Sequence, residues 1–209
     1  MGYICLRERE IAVKRHFGRI VAFFSVAILV TEFSTPAEAN PLPPQDANCS
    51  FLGSIRGVKH YNLGVDLQAK GDFEGAIAEY RISIRECSTF WRAAYNLGTA
   101  LAANKDFDAA IRQYRSVIDQ WPKRLEAPFA LGIALDEKGD HDGAIAQYRD
   151  LLKRKKKHPW AHYQLGLALQ AKGNLDEAIA EYRTAISQQP NFPEAQSAIS
   201  EILKVDGKS

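Results

Sequence analysis

The chain has 209 residues, 46% of them hydrophobic and 25% charged, a balance that excludes generic disorder and allows one domain, alone or behind a leader. Its 27 Lys and Arg face 25 Asp and Glu. Residues 1–39 hold five and four of these, which leaves 22 against 21 and excludes the basic face that a nucleic-acid binder needs.

In chain order, the first element expected is an export signal over residues 1–39. Arg7, Arg9, Lys14, Arg15 and Arg19 precede an apolar run from Ile20 to Val30, and Ala37-Glu38-Ala39 follows before Asn40. These are the basic, apolar and small-residue parts of a secretory signal, with cleavage expected between Ala39 and Asn40. The apolar run rises about 16 Å as a helix, roughly half a bilayer core, so no permanent span is expected after cleavage. The alternative is a buried N-terminal helix, which Pro41-Leu42-Pro43-Pro44 disfavours. The basic region is long, and a start at Val13 would shorten it. Residues 40–56 are expected to form a Pro-rich leader and N-terminal cap.

From here one period governs the chain. Leu-Gly stands at Leu63-Gly64, Leu97-Gly98, Leu131-Gly132 and Leu165-Gly166, each 34 residues after the last. Ala-Ile at Ala76, Ala110, Ala144 and Ala178, and Tyr-Arg at Tyr80, Tyr114, Tyr148 and Tyr182, keep the same step. Leu63 and Leu67, and Ala76 and Tyr80, recur at helical spacing, with turns between them at Lys70-Gly71-Asp72, Lys105-Asp106, Lys138-Gly139-Asp140 and Lys172-Gly173-Asn174. Each unit therefore reads as a helix–turn–helix hairpin. Glycine stops the first helix and an acidic residue favours the start of the second. Gly64 and Ala76 are small where the paired helices cross, and Tyr80 fills the space beside them.

These markers resemble the tetratricopeptide repeat family. The closing Pro of that pattern stands at Pro122 and Pro190 and is replaced by Ser88 and Lys156. The resemblance implies an all-α, right-handed solenoid with repeats at 57–90, 91–124, 125–158 and 159–192. It also implies a concave groove lined by the first helices. The lining positions here are Tyr61, Asn62 and Val65; Tyr95, Asn96 and Thr99; Phe129, Ala130 and Ile133; and Tyr163, Gln164 and Leu167. Either they form a peptide groove with aromatic anchors and amides for the ligand backbone, or they pack one repeat on the next. The basic ladder with which some relatives clamp a terminal carboxylate is missing.

Lys59 and Asp66 occupy places filled by Ala93 and Ala100 in the next unit, so no hairpin is expected to precede the first. Pro193 opens a capping helix over 193–205, with Ala195, Ile199, Ile202 and Leu203 on its apolar side, followed by a tail at 206–209.

Other clusters have bland readings beside sharp ones. The run Lys153–His158 is a solvated helix end or a dock for an acidic partner or anionic membrane surface. His158 and His162 are separated by Pro159, which argues against a metal site. Arg81, Arg115, Arg149 and Arg183 read as a salt-bridged exterior. No nucleophile–base set, phosphate loop or carboxylate pair is present, so neither catalysis nor a cofactor is expected. With Cys5 removed by cleavage, Cys49 and Cys87 fit no zinc spacing and are expected to form a disulfide that pins Phe51, Leu52 and Ile55 over the first hairpin. Two unpaired thiols are the alternative. The function expected is an exported, periplasmic or secreted, adaptor that binds a protein or peptide and serves envelope assembly. A self-associating module and an accessory subunit of an envelope enzyme are the alternatives.

Overall fold

The computed structural model describes residues 49–205, without the side chains of Phe51 and Val205. The expected signal and its cleavage site lie outside the described residues, as do the leader before Cys49 and the tail. The described residues form nine helices and no strand: α1 (Phe51–Ala69), α2 (Phe73–Glu86), α3 (Trp91–Ala103), α4 (Phe107–Gln120), α5 (Glu126–Lys138), α6 (His141–Arg154), α7 (Pro159–Ala171), α8 (Leu175–Gln188) and α9 (Pro193–Val205). No helix among them is long and apolar enough to cross a membrane. By its contacts the chain forms two compact units, divided within α4 between Gln113 and Tyr114.

The turns between paired helices follow from local chemistry. Gly71, Gly139 and Gly173 have φ of 81°, 91° and 84°, the left-handed conformation that ends a helix and that glycine adopts without a Cβ penalty. Lys105 takes the same role at φ 64° without that freedom. Asp72, Asp106 and Asp140 then cap the following helices, their carboxylates accepting from the amides of Gly75, Ala109 and Gly143 at 2.9–3.1 Å.

Within a hairpin the crossing is set by glycine against tyrosine. A Cβ added at Gly64, Gly132 or Gly166 would lie 2.7, 2.4 or 2.5 Å from Cε1 of Tyr80, Tyr148 or Tyr182. Those three rings and that of Tyr114 are fully buried, as are Ala76, Ala110, Ala144 and Ala178. Each such ring contributes roughly 2 kcal/mol of apolar burial.

In unit 1, α1 begins earlier than the repeat register implies. It is 19 residues long and opens with Ser50, whose hydroxyl accepts from the Gly53 amide at 3.0 Å. Residues 51–56 therefore extend the first helix and do not form a separate cap over its face. Leu52 and Ile55 are 63% and 45% exposed, which corrects the expectation that they cover the hairpin. The extension runs beside the end of α2: a Cβ on Gly53 or Gly57 would come within 2.6 Å of the Glu86 carbonyl oxygen or 3.3 Å of that of Ser83. Ser83 Oγ donates to the Gly57 carbonyl at 2.8 Å, and Arg56 pairs with Glu86 at 2.6 Å. Cys49 and Cys87 are joined as a disulfide across this same end, with Cα atoms 4.9 Å apart.

In unit 2, α5 packs on α6, α7 on α6 and α8, and α9 on α8. The helix α9 buries Ala195, Ala198 and Ile202 and exposes Gln196, Ser197, Ser200 and Glu201.

Candidate functional site

The first-helix residues named from the sequence divide by burial. In unit 1, Tyr61 is buried against Phe90 and Tyr80, with ring centroids 4.8 and 6.0 Å away. Its hydroxyl accepts from Asn96 Nδ2 at 3.3 Å, and the same amide reaches the Tyr80 hydroxyl at 3.5 Å. Tyr95 and Thr99 are buried, the latter donating to the Tyr95 carbonyl at 3.2 Å. Asn62 and Val65 are exposed, and Asn96 is half-buried. In unit 2, Phe129, Ala130, Ile133, Gln164 and Leu167 are buried, and Tyr163 is half-buried. The expected lining set thus divides in two by exposure. Tyr61, Tyr95, Thr99, Phe129, Ala130, Ile133, Gln164 and Leu167 pack between helices, and Asn62, Val65, Asn96 and Tyr163 keep surface to offer.

Tyr163 stands in an aromatic group on unit 2. Its ring lies 5.9 Å from Trp160, edge-on, 5.2 Å from Phe192 and 5.7 Å from Tyr182. Burial, then the charges of Glu194 and Glu201, raise its hydroxyl pKa to about 12. Tyr182 donates to Gln170 Oε1 at 2.7 Å, and burial with the charges of Tyr163, Asp136 and Glu201 lifts its pKa as well. Tyr148 is raised far above the usual phenol value by burial, Asp136 and Glu137. Asp136, on the last turn of α5, is itself pushed up by burial, opposed by a 2.6 Å contact with His141 Nδ1. Carboxylates from α5 and α9 therefore act on one set of tyrosines. The sequence reading missed Asp136, Glu137, Glu194 and Glu201. The signal available was the helical spacing of Asp136 and Glu137 from Ile133, on the helix side already assigned to binding.

Histidine–carboxylate pairs were also missed. His60 Nδ1 meets Glu79, and His162 Nδ1 meets Glu181, each at 2.6 Å and each across 19 residues. The two pairs are three repeat lengths apart, at equivalent places in the first and fourth hairpins. Burial lowers the His162 pKa, but the Glu181 hydrogen bond, the Lys156 carbonyl and the Glu181 charge together carry it above its usual value.

His158 is occupied elsewhere: its Nδ1 accepts from the Ala161 amide at 3.2 Å as the cap of α7, and its ring lies 5.0 Å from Phe129. Burial and the nearby cation of Lys155 lower its pKa to about 4. Among the described residues no group of three His, Cys, Asp or Glu side chains could hold a metal ion. Lys153–Lys157 are exposed, and Arg154 donates to the Pro122 carbonyl. Arg81, Arg115, Arg149 and Arg183 are exposed, with Arg149 3.0 Å from Glu177, a surface pair worth at most about 1 kcal/mol.

Helical hairpins of this kind, with recessed aromatic and carboxylate groups, define a protein-interaction scaffold. Two family models described as tetratricopeptide repeat match residues 61–125 and 137–202, together more than half of the chain. The chain belongs to the tetratricopeptide repeat family and has its all-α solenoid fold. Among solved structures it is similar to MamA, at 25% identity and TM-score 0.63, over 70% of this chain and 85% of that one. It is also similar to YrrB, described as a TPR protein with an unusual peptide-binding site, at 23% identity and TM-score 0.61, over 68% and 73% of the two chains. A thermophilic TPR protein of Thermus thermophilus matches at 21% identity and TM-score 0.60, over 73% and 84%. No curated protein matches the chain.

Proposed function

We propose that the protein is an exported adaptor that takes a peptide or protein segment on the first-helix side of its repeats and serves in assembly of the cell envelope. The observation that carries the binding site is Tyr163, half-exposed among Trp160, Phe192 and Tyr182. A large amphipathic ring held by its neighbours is the kind of anchor that concentrates binding energy. Asn62 and Val65 on α1 offer the matching polar and apolar surface in unit 1. YrrB, a relative by fold, is described as having an unusual peptide-binding site, which agrees with this reading. Export rests on the residues preceding Asn40.

Selection of displayed random peptides on the mature protein, purified with its N-terminus at Asn40, tests the reading. Peptides should be enriched, and Tyr163→Ala should weaken them by at least about 1 kcal/mol. Arg183→Ala, on a second helix, should leave them unchanged. Absence of enrichment, or equal loss from both variants, overturns the groove.

Self-association is a second reading, favoured by α1. Leu52, Ile55 and Leu63 are 63%, 45% and 43% exposed and share one helix face, where nothing among the described residues covers them. Light scattering decides this reading: a monomer at high concentration removes it.

A further inference from the structure

We propose that the exposed face of α1 is a two-fold contact with a second copy of this chain, in which Lys59 of each copy meets Asp66 of the other beside Leu63. The proposal rests on the self-association reading above and adds the register and symmetry of the contact. Every large hydrophobic side chain exposed among the described residues belongs to α1: Leu52, Ile55, Leu63 and Val65. Leu63 shows what kind of face this is. Leu97 and Leu165, one and three repeat lengths on, are 6% and 2% exposed, where α3 packs on α2 and α7 on α6, while Leu63 is 43% exposed. The first hairpin thus shows solvent the side that later hairpins bury against a neighbour. Leu52, Ile55, Lys59, Leu63 and Asp66 follow one another at steps of three and four residues, so they form a single stripe along α1.

The charges on the stripe select the occupant. Arg56 and His60 are held inside the hairpin by Glu86 and Glu79. Lys59 and Asp66 are exposed, two helical turns apart, and neither has a salt bridge among the described residues. In a two-fold contact each residue of a meeting pair plays both parts, so a face with one cation and one anion equally far from the axis is complementary to itself. An antiparallel pair of α1 helices with its axis beside Leu63 meets this condition. Lys59 then faces Asp66 of the second copy twice over, Leu63 packs near Leu63, and Ile55 lies on the aliphatic stem of Lys70. The register that would lay Ile55 on Leu63 instead sets Lys59 against Lys59, and like charges oppose it. A head-to-tail contact has no apolar surface to receive the stripe, since α9 exposes Gln196, Ser197, Ser200 and Glu201. The contact therefore closes as a dimer and does not extend into a fibre.

Sedimentation equilibrium on residues 40–209, expressed into an oxidising compartment, tests this with charge reversals at exposed positions that leave the hairpin core untouched. The parent should form dimers, and no larger species, as its concentration rises. Lys59→Asp sets acid against acid and Asp66→Lys sets base against base. Each alone should weaken the dimer at least about tenfold, with the helical content of the dilute protein unchanged. Mixing the two variants should restore a dimer that holds one copy of each, and both reversals in one chain should restore the homodimer. Parent dimers that both single reversals leave intact would overturn this register and leave self-association standing. Loss of the dimer without recovery in the mixture would overturn the two-fold pairing. A parent that stays monomeric at every concentration overturns both readings and assigns the face to another segment or partner.

Discussion

Two glycines of the third hairpin show how one residue type serves two physical purposes. At Gly139 a Cβ would meet nothing within 4 Å, so any cost of Gly139→Ala arises from the backbone at φ 91°. Left-handed alanine costs about 1–2 kcal/mol, offset in part by the smaller entropy of its unfolded chain, so a net loss of about 1 kcal/mol is expected. At Gly132 the backbone is ordinary helix, but a Cβ would lie 2.4 Å from Tyr148 Cε1, so overpacking should cost about 1–3 kcal/mol. Urea unfolding in a Tyr148→Leu background separates the two. The smaller side chain should relieve Gly132→Ala by at least about 1 kcal/mol and leave Gly139→Ala unchanged. Equal costs in both backgrounds would show that the glycine–tyrosine contact does not set the crossing. That contact was legible in the sequence because Leu-Gly and Tyr-Arg keep one period. The unpaired amide of the buried Gln164 was not, since a period predicts position and says nothing of the partner lost when Phe129 stands where Tyr61 does.

At the scale of helices, legibility failed at two places for different reasons. The repeat register sets the first hairpin at 57 and leaves Leu52-Gly53-Ser54-Ile55 to the leader and N-terminal cap. The glycines four apart, Gly53 and Gly57, were the available sign that a helix continued close against another backbone. Helical spacing names the side of a helix without saying how far a neighbour covers it, as the buried Phe129 and Ile133 show. At α7 the cap itself gives a pH dependence. His158 accepts the Ala161 amide through Nδ1, which requires a neutral ring. Burial, then Lys155, hold its pKa near 4, with its own backbone hydrogen bond opposing and His162 adding to the lowering. Between about 6.5 and 4 the unfolded chain binds a proton that the fold refuses, so this contribution to stability falls as pH falls. His162, raised, contributes instead below about 6.5 and loses that contribution as pH rises through its folded value, a separate window. Asp136, raised above the usual carboxylate value, opposes the His158 trend at the acid end. The melting temperature should therefore fall less from pH 6.5 to 4 in His158→Asn, which keeps an acceptor that does not titrate. Identical slopes in variant and parent would remove His158 as the cause.

Over the whole molecule, the crosslink between Cys49 and Cys87 raises the question of how far a local constraint is felt. It closes 38 residues of sequence across one end of α1 and α2, where the Ser83–Gly57 hydrogen bond and the Arg56–Glu86 pair already hold the helices. Closing such a loop is worth roughly 4 kcal/mol in the chain-entropy account, with native strain reducing the figure. Repeat folds gain most of their stability from nearest neighbours, so a constraint in the first hairpin should act mainly there. Both sulfurs belong to buried residues, with Cys49 5% exposed and Cys87 fully covered, so reduction requires the end of the hairpin to open first. Residues 40–209, expressed into an oxidising compartment and denatured without reductant, should show no free thiol. After reduction, or in Cys49→Ser with Cys87→Ser, hydrogen exchange should speed along α1 and α2 and stay unchanged along α8 and α9. Two free thiols per chain before reduction would mean that the bond does not form. Uniform acceleration from α1 to α9 would mean that the array opens as one cooperative body.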